Sequence, residues 1–182
     1  MSPFRTLPQM ESYLEVIREA PSDEGTVQMI VARPQTNERE TLDRCELHPG
    51  QGLVGDNWQA RGDKHTRDGS ADLNRQITLM NARAIDAITG EEYWPDAGDQ
   101  FFVDFDLSIE NLPPGTHLGL GEAVVEVTAE PHLGCRKFSS RFGKDATRFV
   151  NSETGKALNL RGINAKVVKP GTVRKDDRIR KL

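Results

Sequence analysis

Cysteine is scarce in this chain: Cys45 and Cys135 are the only two among 182 residues. So distant a pair builds no disulfide framework, and a reducing compartment suits it better. Long apolar runs are missing too. Nothing approaches the ~18 consecutive apolar residues of a membrane helix, and Met1-Ser2-Pro3-Phe4-Arg5-Thr6-Leu7-Pro8 has no apolar secretory core. The cytoplasm is therefore the expected location, with no membrane partner. His48, His65, His117 and His132 are scattered, and with two cysteines they do not offer the four spaced N/S ligands of structural zinc. Gly-x-Ser-x-Gly, Walker-type and dinucleotide-binding signatures are absent.

What remains is a single-domain length with a mean hydropathy of −0.60, enough to bury a core beneath a well-solvated surface. The net charge of −4 hides an asymmetry. Residues 134–182 hold 14 Lys and Arg against 4 Asp and Glu, whereas residues 1–133 hold 10 against 24. Overall acidity argues against a dedicated nucleic-acid binder. A local basic face still suits a small anion, which needs far fewer charges than a duplex.

Cys135 stands at the edge of that basic half, followed by Arg136 and Lys137. Adjacent cations favour a thiolate, the form that attacks electrophiles and binds soft metals. The alternative is a small buried hydrophobe at the end of a strand, and for Cys45 that is the preferred reading. On an extended segment, His132 and Cys135 would point to opposite faces, which disfavours a Cys–His pair. Gly52-Leu53-Val54-Gly55-Asp56 reads as a tight turn whose backbone N–H groups also suit an anion. Asn111 reads as a turn residue before Pro113-Pro114-Gly115. The cations Arg141, Lys144, Arg148, Lys156 and Arg161 read as a solvated face or a phosphate pocket.

The pattern predicts a helix over 8–20, strands over 26–32, 42–47, 76–80, 101–109 (alternating from Val103 onward), 123–128 and 163–168, and a last strand near Arg178-Ile179. Short helices are expected over 82–89, with Asn81 as cap, and over 144–151. Residues 59–75 read as a long loop. About eight short strands with few helices suit a mainly-β, barrel-like fold.

The order of the motifs carries a resemblance. Gly-Leu-x-Gly-Asp at 52–56, Glu110-Asn111-Leu112, the strand leading to Cys135, Arg161-Gly162-Ile163-Asn164-Ala165 and Lys169-Pro170-Gly171-Thr172-Val173 occur in series. The chain resembles the MOSC domain, the C-terminal domain of molybdenum cofactor sulfurases, over roughly residues 25–180. Stand-alone bacterial members and the mitochondrial amidoxime-reducing component are similar proteins. The resemblance implies a β-barrel core of pyruvate-kinase type with peripheral helices over residues 25–182, preceded by an N-terminal extension, 1–24, with a short helix. It also implies that Cys135 binds the molybdenum of the pterin cofactor or carries sulfur, with Asn111 near the pterin. Arg136, Lys137, Arg141 and Arg161, with Gly55 and Asp56, would bind the rest of the cofactor. The chain departs from the pattern at Gly134, where proline is common, at Ile109, where glycine is, and at Asn164, where an aromatic is usual.

Three functions follow as expectations. The first is an oxidoreductase that reduces small N-hydroxylated compounds. With no flavin, haem or iron–sulfur motif in the chain, its electrons would come from a separate reductase. The second is a carrier holding a persulfide or the cofactor on Cys135. The third is a polyanion-binding module, whose affinity would fall steeply with salt and ignore Cys135→Ser.

Overall fold

In a computed structural model, which describes residues 3–182, a seven-stranded barrel closes on itself. Its strands are β1 (Glu24–Ala32), β5 (Ile77–Asn81), β6 (Phe101–Asp104), β7 (His117–Leu120), β8 (Ala123–Val127), β9 (Ile163–Lys169) and β11 (Arg178–Lys181). Around the barrel they run β11-β7-β8-β9-β5-β6-β1, and β1 pairs back onto β11. Only the β5–β6 pair is parallel. β2 (Glu40–Leu42) extends the sheet beyond β1, while β3 (Arg44–His48), β4 (Gly52–Leu53) and β10 (Gly171–Arg174) form a small second sheet. Closure removes the edge strands that an open sheet would expose. Among the described residues no helix is long and apolar enough to cross a membrane.

Alternation along the strands divides the apolar residues between two cores. Val27, Ile30, Ile77, Leu79, Phe101, Val103, Val125 and Ala165 point into the barrel. Met29, Val31, Met80 and Phe102 face outward, under a layer of helices. Val27 and Ile30 are three residues apart yet share the interior, because the register with β6 shifts between Val27 and Met29. The extra residue of such a bulge resets the two-residue period. At the start of β1, a Cβ on Gly25 would lie 2.0 Å from the Asp104 carbonyl oxygen. Gly25→Ala is thus expected to cost about 1–3 kcal/mol through forced overpacking, read as a lower urea midpoint at unchanged slope.

The helical layer is built from α1 (Leu7–Glu11), α2 (Leu14–Arg18), α4 (Ala82–Asp86), a 3₁₀ segment (Glu91–Ala97), α5 (Arg136–Asn151) and α6 (Glu153–Ala157). Short α3 (Trp58–Arg61) lies within the loop region. α5 is two helical segments joined at Gly143, and they bury Phe138 and Phe142 on the first and Ala146, Phe149 and Val150 on the second, each set spaced by three or four to line one face of its segment.

Several expectations need correction. The helix expected over 8–20 is two, because the chain breaks between α1 and α2. Residues 59–75 are not one long loop: α3 and a 3₁₀ turn (Leu73–Arg75) punctuate them, and the buried Trp58 ring donates from Nε1 to the Asp72 carbonyl at 3.2 Å. The strand expected over 101–109 starts as expected but ends at Asp104, since the Asp106 N–H bonds the Pro21 carbonyl and its carboxylate accepts from Ser108 N. The helix expected over 144–151 is present as the second half of α5, but a helical segment starting at Arg136, which was not expected, precedes it. Gly143, non-helical at φ 88°, separates the two segments. The helix then resumes because apolar residues recur at helical spacing beyond the kink.

Candidate functional site

Residues 128–134 follow β8 without joining a strand, and His132 and Cys135 line one cleft instead of pointing to opposite faces. Cys135 caps α5 and is exposed rather than buried at a strand end. Its position is held from two sides. The Asn151 side chain accepts from Gly134 N at 2.8 Å and donates to Gly134 O at 2.9 Å, and the Cys135 carbonyl accepts from Ser139 N.

Cys135 and His132 line one cleft of about 200 Å³ with six cationic side chains: Arg33, Arg39, Arg61, Lys137, Arg141 and Arg161. No aspartate or glutamate lines it. Arg33 is neutralised from behind by Asp56, whose fully buried carboxylate takes its guanidinium in a two-pronged pair at 2.8 and 2.9 Å. Arg161 is neutralised by buried Asp99. Among the described residues, Arg39, Arg61, Lys137 and Arg141 have no carboxylate within salt-bridge distance. Arg39 and Arg141 are fixed instead by backbone oxygens of Pro95, Glu38 and Asp96. Burial lowers the pKa of Arg39, and repulsion from Arg141 and Arg33 lowers it further. Burial and then Arg33 do the same to Arg61. Converging, uncompensated cations of this kind attract an anion.

One wall of the cleft is a polar triad in which Asp99 and Arg161 are buried and His132 is partly exposed. Asp99 accepts from Arg161 Nη1 and sits 2.8 Å from His132 Nε2. Arg161 also donates to Ala97 O at 2.9 Å and lies over the Phe138 ring, 4.8 Å from its centroid. Burial alone would raise the Asp99 pKa, but Arg161 and then His132 outweigh it and hold the carboxyl below its ordinary value. Burial, and after it Arg161, lower the pKa of His132. At neutral pH the ring is therefore uncharged, Nε2–H donates to ionised Asp99, and Nδ1 is bare. His132 makes no other hydrogen bond among the described residues.

This has a consequence for stability. A histidine whose folded pKa is depressed contributes fully above its unfolded value, near 6.5. The contribution is lost as pH falls toward the lower, folded value, because the unfolded chain binds the proton first. The unfolding midpoint is expected to drop from pH 7.5 to 5.5, and the drop to be smaller in His132→Gln.

The expected site residues divide into two groups. Cys135, Lys137, Arg141 and Arg161 meet at the cleft. Asp56 acts one step back, positioning Arg33. Gly55 is an exposed turn residue with φ 94°, and Arg136 is exposed without lining the cleft. Asn111 is also elsewhere: its side chain donates to Ser22 O and Asp106 O and accepts from Lys181 Nζ. Arg33, Arg39, Arg61, Asp99 and His132 complete the site, and three of these cations come from the acidic half of the sequence.

A family model for the MOSC domain matches residues 66–180, the span that holds Asp99, His132, Cys135 and Arg161. The chain belongs to the MOSC domain family. Solved structures share the fold of this MOSC protein. YuaD from Bacillus subtilis superposes with a TM-score of 0.59 at 16% identity, covering 86% of this chain and 94% of its own. A structure described only as that of a hypothetical protein gives 0.61 at 21%, covering 91% and 70%. YiiM from Escherichia coli gives 0.55 at 18%, covering 86% and 69%. No curated protein matches the sequence significantly.

The second cysteine of this MOSC domain is a different case. Cys45 packs in the barrel core, and burial, then Glu46, push its thiol up to about 12. One thiol per chain is expected to react with a disulfide reagent in the native protein, and two after denaturation, with Cys135→Ser abolishing the native reaction.

Proposed function

We propose that this chain binds molybdenum cofactor in the Cys135 cleft and reduces small N-hydroxylated compounds there. The observation that carries the reading is one cleft joining an exposed thiol to four cations without carboxylate partners. The donor set fits the cofactor. Among the described residues no group of three or more His, Cys, Asp or Glu side chains could hold a bare ion, so a metal would have to bring ligands of its own, as the pterin's sulfurs provide. One soft protein sulfur then suffices, and Cys135 supplies it. Arg39, Arg61, Lys137 and Arg141 would hold the phosphate, for which guanidinium groups are well matched donors.

When bound, the cofactor supplies two-electron redox chemistry. In the overall reaction two electrons and two protons enter, the N–O bond breaks, and the amine and water leave. The electrons come from a separate reductase. Bare Nδ1 of His132 is where this chain can take up a proton and pass it on, while Asp99 holds the ring by the opposite nitrogen. Asp56 and Asp99 neutralise the two deepest arginines and keep their side chains in place.

The exposure of Cys135 favours a second reading, in which the sulfur is handed to another protein. Steady-state turnover of an N-hydroxylated compound with a chemically reduced dye separates the two. Amine released over many turnovers supports the enzyme, and bound cofactor or persulfide with no turnover supports the carrier. Retention of pterin should fall several-fold in Arg39→Glu/Arg141→Glu, a readout independent of activity.

A further inference from the structure

His132 stands on a segment, residues 128–134, that belongs to no strand or helix, yet its ring meets Asp99 in a defined geometry. The run Arg161-Gly162-Ile163-Asn164, leading into β9, holds it in three ways. Arg161 shares the Asp99 carboxylate with the ring. Gly162 backs the ring: a Cβ there would lie 3.1 Å from His132 Cδ2 and 2.3 Å from the Leu79 carbonyl oxygen, and its φ is 113°. Such a close approach at positive φ needs glycine. Ile163 and Ala165 belong to the barrel core, so alternation turns Asn164 outward, where it is nevertheless buried. Its Nδ2 donates to the Glu130 carbonyl at 3.1 Å and reaches that of Pro131 at 3.4 Å, the two carbonyls immediately before His132. The Asn164 carbonyl also accepts from Thr128 N at 3.0 Å, so one residue grips the segment at two points. The Arg75–Glu130 ion pair touches the same segment at 3.0 Å, but it is half-exposed and contributes little.

We propose that Asn164 is the positioning residue for His132: its buried amide fixes the two preceding carbonyls, and thereby sets the ring with Nε2 on Asp99 and Nδ1 free for the cleft. An aromatic side chain, usual at this position in the proteins the chain resembles, has no NH₂ group to give to two successive carbonyls. Pro131 carries no N–H, so the segment has one backbone donor fewer with which to hold itself. An apolar residue of the same size would leave both carbonyls without that donor and let the segment shift. The consequence for proton transfer rests on the proposed function, whereas the placement of the ring does not. A displacement of about 1 Å at a reacting group costs about 10²-fold in rate.

The test combines two readouts on the full-length chain. The first is ¹⁵N NMR of the histidine rings at pH 7.5, with the His132 signals assigned by their loss in His132→Gln. In the wild type His132 is expected as a single tautomer, protonated at Nε2. In Asn164→Leu its two nitrogen signals should move toward the averaged values of a free imidazole. Thr128→Val removes a different tie of the same segment, the 2.6 Å bond from Thr128 Oγ1 to the Asn74 carbonyl, and should lower the urea midpoint while leaving the His132 signals in place. Should Asn164→Leu not fold, Asn164→Ser, whose hydroxyl is too short to reach both carbonyls, carries the same expectation. The second readout is turnover of an N-hydroxylated compound with a chemically reduced dye. Asn164→Leu is expected to lower kcat about 10²-fold at unchanged molybdenum and pterin content. In a His132→Gln background it should cost little more, because residues acting as a unit are not additive. Unmoved His132 signals in the Asn164 variant, an equal shift in Thr128→Val, or the full loss of kcat repeated on top of His132→Gln would overturn the proposal. Absence of turnover in the wild type would count against the proposed function alone, and the ring signals would then decide whether Asn164 places His132.

Discussion

Replacing Arg161 by methionine is expected to destabilise the protein by about 3–5 kcal/mol, because the substitution strands a buried carboxylate. Asp99 is fully buried, ion-paired with Arg161 and hydrogen-bonded to His132. Without Arg161 the carboxylate loses its main source of positive charge, and the burial that already opposes its ionisation is left unbalanced. Removing one member of such a pair is much worse than removing both, since the desolvation cost remains while the attraction goes. Asp99→Leu/Arg161→Met should therefore lose less stability than either single change. Urea unfolding of the two single variants and the double one measures this directly. Equal, additive losses would mean that the pair is not coupled.

His132→Gln is expected to lower turnover of an N-hydroxylated compound by roughly 10²–10⁴-fold, the range for removing a positioned acid–base group. The amide can still donate to Asp99, so the network should persist and KM should change little. The distinguishing readout is the pH profile. In the wild type, the acid limb should report a group that titrates below the ordinary histidine range, as burial and Arg161 dictate. In the variant that limb should vanish. A variant that loses activity through misfolding would instead lose cofactor and lower the unfolding midpoint at every pH.

Much of this molecule could be read before its structure. Alternation in Ala123–Thr128 and Ile163–Val168 marks strands because one face of each is apolar, the short apolar run Ile77–Met80 marks a strand buried on both faces, and Asn81 is the N-cap of α4, accepting from Arg83 N. The strands His117–Leu120 and Gly171–Arg174 were not legible. They are four residues long with glycines among them, and they become strands only because the closed barrel and the small sheet supply partners.

The site divides along the same line. Cys135 was visible from its neighbours, and Arg161 from the motif that contains it. Asp99, Arg33, Arg39 and Arg61 were not, since each gains its meaning from contacts that span the sequence. Asp99 meets Arg161 across 62 residues and His132 across 33, and no local spacing encodes such a meeting. The basic C-terminal half also misled in part. Arg136, Lys144 and Arg148 point to solvent, whereas half of the cleft's cations come from the acidic N-terminal portion. Net charge by segment shows that a counter-ion is needed without showing where the cations converge.

The central claim is that Cys135 in this cleft holds the cofactor. The most direct measurement is molybdenum and pterin content of the wild type and Cys135→Ser, each produced in a cofactor-competent host fed molybdate. Cys135 is exposed, and serine preserves the helix cap, so the variant should fold. Molybdenum and pterin near one per chain in the wild type, with molybdenum lost in the variant, is the result predicted here. Equal molybdenum in both proteins, or none in either, would contradict the claim.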